Sequence, residues 1–417
     1  MKEVTIFTDD RSPESIRVFA IGDTDKPTSL VYPDWPSFLA DGRRFVMYTD
    51  DGPTICDPDD DCALRPIFPG FNEKNYRTFR VSPDGRYAFF RNDAASKEPS
   101  SLTISRVDLS NLQVEDVYHS HGGKLPGTDV PIHRMSFDTV SADNRRTAGV
   151  CRLDSNTQNA LFGLFALDLD TSEFHTVWIG PFFNNAHLRY CLSPDPDAAH
   201  DLLVQMNHGA RYDEKGTMLA SLGPPADKGI DIHVIRDDGT NRRDLPFGRD
   251  GLESCIGHQV WRGQHSRSVV TISLQNKDIS YGWADGSNQD ILAGEQSPVD
   301  MDAPHLGRLT PGAQRVTLSQ GFDKPRFNHL SCDASGMTFA FDTFPIFDGE
   351  RAGMQIYTGK ADNTTEPLHL QYILNSGVTL NNSNGYHSHP VIAPDGSFLL
   401  FNSNLSGTKQ AYMVTGI

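Results

Sequence analysis

The chain has 417 residues, 37% of them apolar and 10% aromatic, enough to bury a core, so intrinsic disorder and a small disulfide-stapled scaffold are excluded. Its 37 Lys and Arg against 54 Asp and Glu leave a net charge of −17, which repels phosphate backbones and anionic lipid and argues against a nucleic-acid or membrane partner. No run approaches the roughly 20 apolar residues of a membrane span, and MKEVTIFTDD has no basic-then-apolar leader, so a cytoplasmic location is expected.

Taken in chain order, the first β-type run is Val4-Thr5-Ile6-Phe7. It is expected to pair with Ala411-Tyr412-Met413-Val414 and close the fold non-covalently. Six scattered cysteines with no C-x-x-C spacing indicate reduced, mostly buried thiols rather than a disulfide framework or a zinc site. Cys56 and Cys62 bracket the acidic stretch CDPDDDC, which lacks the glycine and distal Glu of an EF-hand loop and reads as a solvated loop.

From residue 38 onward one pattern recurs: a β-type run, a turn related to Ser-Pro-Asp-Gly, and a second β-type run. The copies are FLADGRRFVMYTDDG (38–52), RVSPDGRYAFFRND (80–93), TVSADNRRTAGVCR (139–152), CLSPDPDAAHDLLVQM (191–206), VWRGQHSRSVVTIS (260–273), SCDASGMTFAFDT (331–343) and VIAPDGSFLLFNSN (391–404). Pro-Asp-Gly supplies a fixed φ followed by a residue tolerant of positive φ, so each copy predicts an antiparallel hairpin. The runs between copies, such as LFGLFALDLDTSEFHTVW (161–178) and IDIHVIRDDGTNRRDL (230–245), supply outer strands. Seven units of about 60 residues predict an all-β, seven-bladed β-propeller forming a single domain over 1–417. A β-sandwich is the other architecture open to such strands, but evenly spaced hairpins favour radial repetition.

The repeat lets blades be compared. Counting from Pro194, Gly263, Ala334 and Pro394, the residues five positions upstream are Arg189, His258, His329 and His389. Seven positions upstream stand His187 and His387, and residues two apart on a strand share a face. Because the first strand of a propeller blade is innermost, these five imidazoles and one guanidinium are expected to converge on one mouth of the central channel. Neutral imidazoles so gathered suit a divalent first-row metal. His208, at the end of the fourth hairpin, is a further candidate near the same rim.

The segments NNAHLRYCLSPDPDAAHDLLVQMNHG (184–209), ESCIGHQVW (253–261), FNHLSCDASGMTFAFD (327–342) and YHSHPVIAPDGSFLLFNSN (386–404) resemble oligogalacturonate lyases, cytoplasmic seven-bladed propellers of pectin breakdown. The resemblance is close over the C-terminal half and extends to the N-terminal blades only through the turn motif. It implies metal-assisted β-elimination on short oligogalacturonides, usually with Mn²⁺, although Zn²⁺, Ni²⁺ and Fe²⁺ also suit the ligands. It further implies that His329, His387 and His389 hold the metal, with Asn384 where the family carries a glutamine, and that His258 is the base. Asp231 stands where the family places an arginine, so either that role passes to Arg189 or Arg211 or the substrate is a different one; His208 is a further catalytic candidate. His187, Trp261 and Tyr386 are expected against the acidic oligosaccharide.

The chemistry agrees. A uronate's C5 proton is only weakly acidic beside an ionised carboxylate, and a cation on that carboxylate stabilises the charge that develops as the proton leaves. No G-x-S-x-G, Walker A or G-x-G-x-x-G sequence occurs, which argues against hydrolase and nucleotide-binding readings. A lyase for another uronic-acid glycan, of the ulvan or glucuronate kind, and a non-catalytic TolB-like binding propeller are the alternatives.

Overall fold

A computed structural model describes residues 1–68, 76–93, 100–120, 122–153, 161–207, 211–212, 218–220, 230–244, 253–265, 268–274, 289–294, 315–319, 327–345, 352–362, 368–378 and 387–417. The repeats supply antiparallel strand pairs, but the fourth departs from the tight turn expected of it, a short 3-10 helix, Ala198–His200, standing between Arg189–Tyr190 and Asp201–Asn207. The Ser82-Pro83-Asp84-Gly85 turn is closed by the Gly85 amide donating to Ser82 O at 2.8 Å and by the Ser82 hydroxyl donating to Asp84 Oδ1 at 2.6 Å. Gly85 itself sits at φ +68°, and a Cβ there would lie 2.2 Å from the Leu39 carbonyl carbon. Only glycine lets the first two sheets approach so closely.

The hairpins are the inner strand pairs of antiparallel sheets. The first sheet comprises Ser29–Leu30, Phe45–Thr49, Gly52–Asp57 and Ala63–Pro66; the second Tyr76–Val81, Tyr87–Asn92, Leu102–Asp108 and Val114–Ser120; the third Ile132–Val140, Arg146–Leu153, Leu161–Asp168 and Phe174–Gly180. The fourth holds Arg189–Tyr190, Asp201–Asn207, Ile230–Arg236 and Arg243–Asp244; the fifth Glu253–Trp261, Ser268–Leu274, Gln289–Gly294 and Arg315–Ser319; the sixth Phe327–Cys332, Thr338–Thr343, Gln355–Lys360 and His369–Asn375. A short ribbon, Arg211–Tyr212 with Met218–Ala220, extends from the fourth.

The closing sheet is different. Val391–Ile392, Phe398–Ser403 and Gln410–Thr415 are followed outward by Arg17–Ala20 and then Lys2–Val4. The expectation of seven like blades is thereby corrected: among the described residues, six sheets are four-stranded and built from one stretch of chain, and the closing sheet is five-stranded and drawn from both ends. The N-terminal pairing is corrected too. Arg17–Ala20, not Val4–Phe7, lies against Gln410–Thr415, because Phe7 is needed as a core plug, edge-on to Phe401 at 5.2 Å and to Tyr412 at 4.7 Å.

Alternating strand residues pack sheet against sheet, so the apolar clusters lie between ring neighbours. Leu39 and Val46 of the first sheet meet Val81 and Phe90 of the second; Phe89 and Leu102 meet Met135 and Phe137 of the third; Leu30, Phe45 and Met47 meet Leu400 and Met413 of the closing sheet. Burial of this kind contributes roughly 25 cal/mol per Å² of apolar surface. It makes a ring whose inner strands surround a channel. Cys56, Cys62, Cys151 and Cys191 are buried free thiols and Cys332 is partly buried, and among the described residues no helix is long and apolar enough to cross a membrane.

Candidate active site

The inner strands of the fifth and sixth sheets break register where their histidines lie. Glu253–Trp261 shifts against its partner between Cys255 and Gln259, and Phe327–Cys332 shifts between Phe327 and Leu330. Such a bulge adds a residue on one strand and re-aims its side chain; here it turns His258 and His329 toward the channel. His187 and His389 reach the same place from left-handed backbone, at φ 42° and 46°, a region that costs a non-glycine residue about 1–3 kcal/mol unless its surroundings hold it there. At His389 the holding group is visible: its N–H donates to Asp342 Oδ2 at 3.1 Å.

His329, His387 and His389 come together, their ring nitrogens within 4.8 Å of one another. His329 lies 4.8 Å from His387 and 4.3 Å from His389, centroid to centroid. Asp342, fully buried on the second strand of the sixth sheet, accepts the His329 N–H at 2.7 Å and stands 3.1 Å from His329 Nδ1. Burial pushes the Asp342 carboxyl up, against the pull of His389, His387 and the two backbone amides. With Nδ1 facing a carboxylate, His329 presents Nε2 to the group, the arrangement usual for a metal-ligating imidazole. Burial also drives His329 and His389 well below their ordinary pKa, so all the donors needed by a cation are neutral lone pairs. The donor set fits a divalent first-row ion.

His258 is the neighbour of this group, its ring 4.1 Å from that of His329 and 6.2 Å from that of His187. Its Nδ1 lies 3.0 Å from the Asn328 carbonyl oxygen. A carbonyl only accepts, so Nδ1 carries the proton and Nε2 keeps its lone pair. Burial, then the nearby His329 and His187, lower the His258 pKa well below the usual imidazole value.

The other wall comes from the first sheet. Tyr32-Pro33-Asp34-Trp35 forms a turn closed by the Trp35 amide donating to Tyr32 O at 3.1 Å. Tyr32 packs against His389, His329 and His187 at 4.9, 5.7 and 5.7 Å. Asp34 accepts from Arg189 Nη2 at 2.6 Å and lies 3.8 Å from His187 Nδ1. Burial alone would push Asp34 up, but the Arg189 guanidinium and His187 outweigh it and hold the carboxyl below its usual range. The Arg80 guanidinium lies over the Trp35 ring at 3.1 Å and that of Arg189 at 5.0 Å; burial lowers the Arg80 pKa to about 10, which leaves it charged at neutral pH.

The structure therefore brings together His187, Arg189, His258, His329, His387 and His389. Arg189 is buried and committed to Asp34 and to the Leu188 carbonyl at 2.6 Å. Trp261 does not join the group: it is buried between the fourth and fifth sheets, its indole N–H donating to Arg189 O at 3.0 Å. His208, Asn384 and Tyr386 lie outside the described residues, and Arg211 and Asp231 are described through their backbone alone. Sequence reasoning missed Tyr32, Asp34, Trp35 and Asp342. A signal existed for one of them, since Trp35 stands five positions before Ala40, the first repeat's counterpart of the turn proline.

No protein-family model and no curated protein sequence matches this chain. In three dimensions it is similar to an oligogalacturonate lyase solved in complex with manganese, at 17% identity and a TM-score of 0.65, with 99% of this chain and 97% of that one covered. It is also similar to an oligogalacturonate lyase from Vibrio parahaemolyticus, at 15% identity and a TM-score of 0.68, with 100% and 97% covered. At these identities the likeness establishes the propeller architecture over the whole chain.

Proposed function

We propose that this protein is a metal-dependent lyase that cleaves short uronate-containing oligosaccharides, oligogalacturonides foremost, by β-elimination. The observation that carries the reading is the meeting of His329, His387 and His389 with a neutral His258 whose ring lies 4.1 Å from His329. A divalent ion held by the three imidazoles, manganese being the first choice given the neighbour solved with it, supplies Lewis-acid polarisation of the uronate carboxylate.

The remaining steps belong to the chain's own groups. His258 Nε2 takes the C5 proton; the electron pair forms the C4–C5 double bond as the C4–O bond breaks, and the departing sugar oxygen takes up a proton from solvent to leave as a hydroxyl, His258 later returning its own to water. The Asn328 carbonyl fixes the tautomer this requires. Asp342 orients His329 through both its backbone and its ring. Asp34 fixes Arg189 and neutralises it, while Arg80, charged beside Trp35, raises the local potential of an otherwise acidic protein toward an anionic sugar.

The test is metal analysis of protein purified without a histidine tag, followed by incubation with oligogalacturonides and ultraviolet detection of the unsaturated uronate. Metal at one equivalent together with that product is expected. A metal-loaded protein that forms no unsaturated product from galacturonate- or glucuronate-containing oligosaccharides sinks the reading.

A further inference from the structure

Away from the channel, two of the buried thiols meet. Gly52–Asp57 and Ala63–Pro66, the outer strands of the first sheet, pair Cys56 with Leu64 and Asp57 with Ala63. Between them the chain turns back through the acidic stretch, closed by the Ala63 amide donating to Asp60 O at 2.8 Å. Asp59, Asp60 and Asp61 are exposed. Cys62 is not: it stands two residues before the strand partner of Cys56, on the same face, and only 4% of it is exposed, against none of Cys56. Asp61 and Cys62 make this inward turn from left-handed backbone, at φ 49° and 57°, which two successive non-glycine residues rarely adopt. Both cysteines then pack with Ile21, Leu30 and Phe45 in one cluster.

The Cys56 thiol donates to the Cys62 sulfur; that bond holds the Cys62 thiol below its ordinary value and, ahead of burial, pushes the Cys56 thiol up. The other described thiols donate instead to backbone carbonyls, Cys151 to Gly163, Cys191 to His265 and Cys332 to Trp261, and burial pushes each up to about 12. A thiolate is the reactive form of cysteine, so Cys62, the outer member of the pair, is the nucleophile and Cys56 the group beside it that resolves the product. We propose that Cys56 and Cys62 are a reversible redox pair that a hydroperoxide closes into a disulfide. The Cys62 sulfur attacks the peroxide O–O bond and becomes a sulfenic acid as water or the alcohol leaves; the Cys56 sulfur then attacks that of Cys62, and the Cys56 proton departs with the sulfenic hydroxyl as water. Two thiols give up two electrons and two protons, and the peroxide takes both. A dithiol reverses the bond by exchange. Ile21 follows directly on Arg17–Ala20, the strand that completes the closing sheet, so the disulfide clips the hairpin at the seam of the ring and stabilises the fold by constraining the unfolded chain.

The experiment exposes the reduced full chain to hydrogen peroxide, quenches with catalase, counts thiols in denaturant and maps them by peptide mass. The six thiols are expected to fall to four, with the peptide that holds Cys56 and Cys62 two hydrogens lighter, both changes reversed by dithiothreitol. The urea midpoint is expected to rise in the oxidised parent and to stay put in Cys56→Ala and Cys62→Ala. Cys56→Ala is expected to stop at a sulfenic acid on Cys62, trapped by dimedone, and Cys62→Ala to leave Cys56 unreacted. Should either variant fail to fold, the mapping of the parent decides by itself. Six thiols retained under peroxide, oxidation mapped to the other cysteines, or Cys62 carried on to a sulfinic acid with no cross-link each overturns the pair.

Discussion

At the scale of single residues, the division of labour between His258 and the three clustered imidazoles makes separable predictions. His258→Ala removes a general base, so kcat/KM falls by about 10²- to 10⁴-fold while metal content stays at the parent level; loss of metal in that variant would move His258 into the ligand set. Asp342→Asn keeps the shape but removes the charge facing His329 Nδ1, and metal affinity is expected to fall by about 10- to 100-fold, measured by competition with a chelator. An unchanged affinity would mean that the carboxylate serves only to pin the backbone amides of His329 and His389. The imidazoles were legible in the sequence because the repeat supplies a register, and five or seven positions before a turn is the same height on every inner strand. Asp342 was not, since it sits on a second strand and only packing brings it beneath His329. Tyr32 and Asp34 were hidden for another reason: their turn precedes the first hairpin and reaches the channel as a loop, where strand periodicity says nothing.

At the scale of elements, the hairpins were the readable units, and their turns carry much of the ring's precision. Six of the seven turns place a residue at positive φ, Asn144 at 61° and Gly85 at 68° among them, but Gly85 also lies where the neighbouring sheet's backbone leaves no room for a Cβ. Gly85→Ala is therefore expected to lower stability by about 1–3 kcal/mol, read from urea denaturation. Gly127→Ala separates the causes, because Gly127 shares a positive φ of 75° with open space around it, and a smaller loss is expected there. Equal losses would show that backbone conformation, not the approach of the first sheet, sets the requirement at Gly85. The bulges that aim His258 and His329 were invisible in the sequence, since an extra residue in a strand leaves the hydrophobic alternation shifted but not interrupted.

At the scale of the whole molecule, a closed ring is only as stable as its last seam, and here the seam is made by the N-terminal arm. Its Val18 and Ala20 pack with Leu399, Tyr412 and Val414 in one cluster, and its path is clasped to the sixth sheet by three groups. Arg11 pairs with Asp9 at 2.6 Å, its guanidinium lies 4.0 Å over the Tyr372 ring, and the Tyr372 hydroxyl donates to Asp9 Oδ2 at 2.8 Å. Burial pushes the Asp9 carboxyl up, but the hydrogen bonds from Arg11 and Tyr372 pull it further down, to about 2. A carboxyl whose folded pKa is depressed binds protons more readily in the unfolded chain, so the stability it contributes is present above the unfolded value near 4 and is lost as pH falls toward 2. The urea midpoint of the parent is thus expected to drop through that window, and Asp9→Asn to start lower and fall less steeply across it. Other carboxylates titrate in the same range, but they do so in both proteins, and the difference between the two curves isolates the clasp. Parallel curves would show that Asp9 shares its charge with solvent in the folded state, and that the arm is held by the apolar contacts of Phe7, Ile16 and Val18 alone.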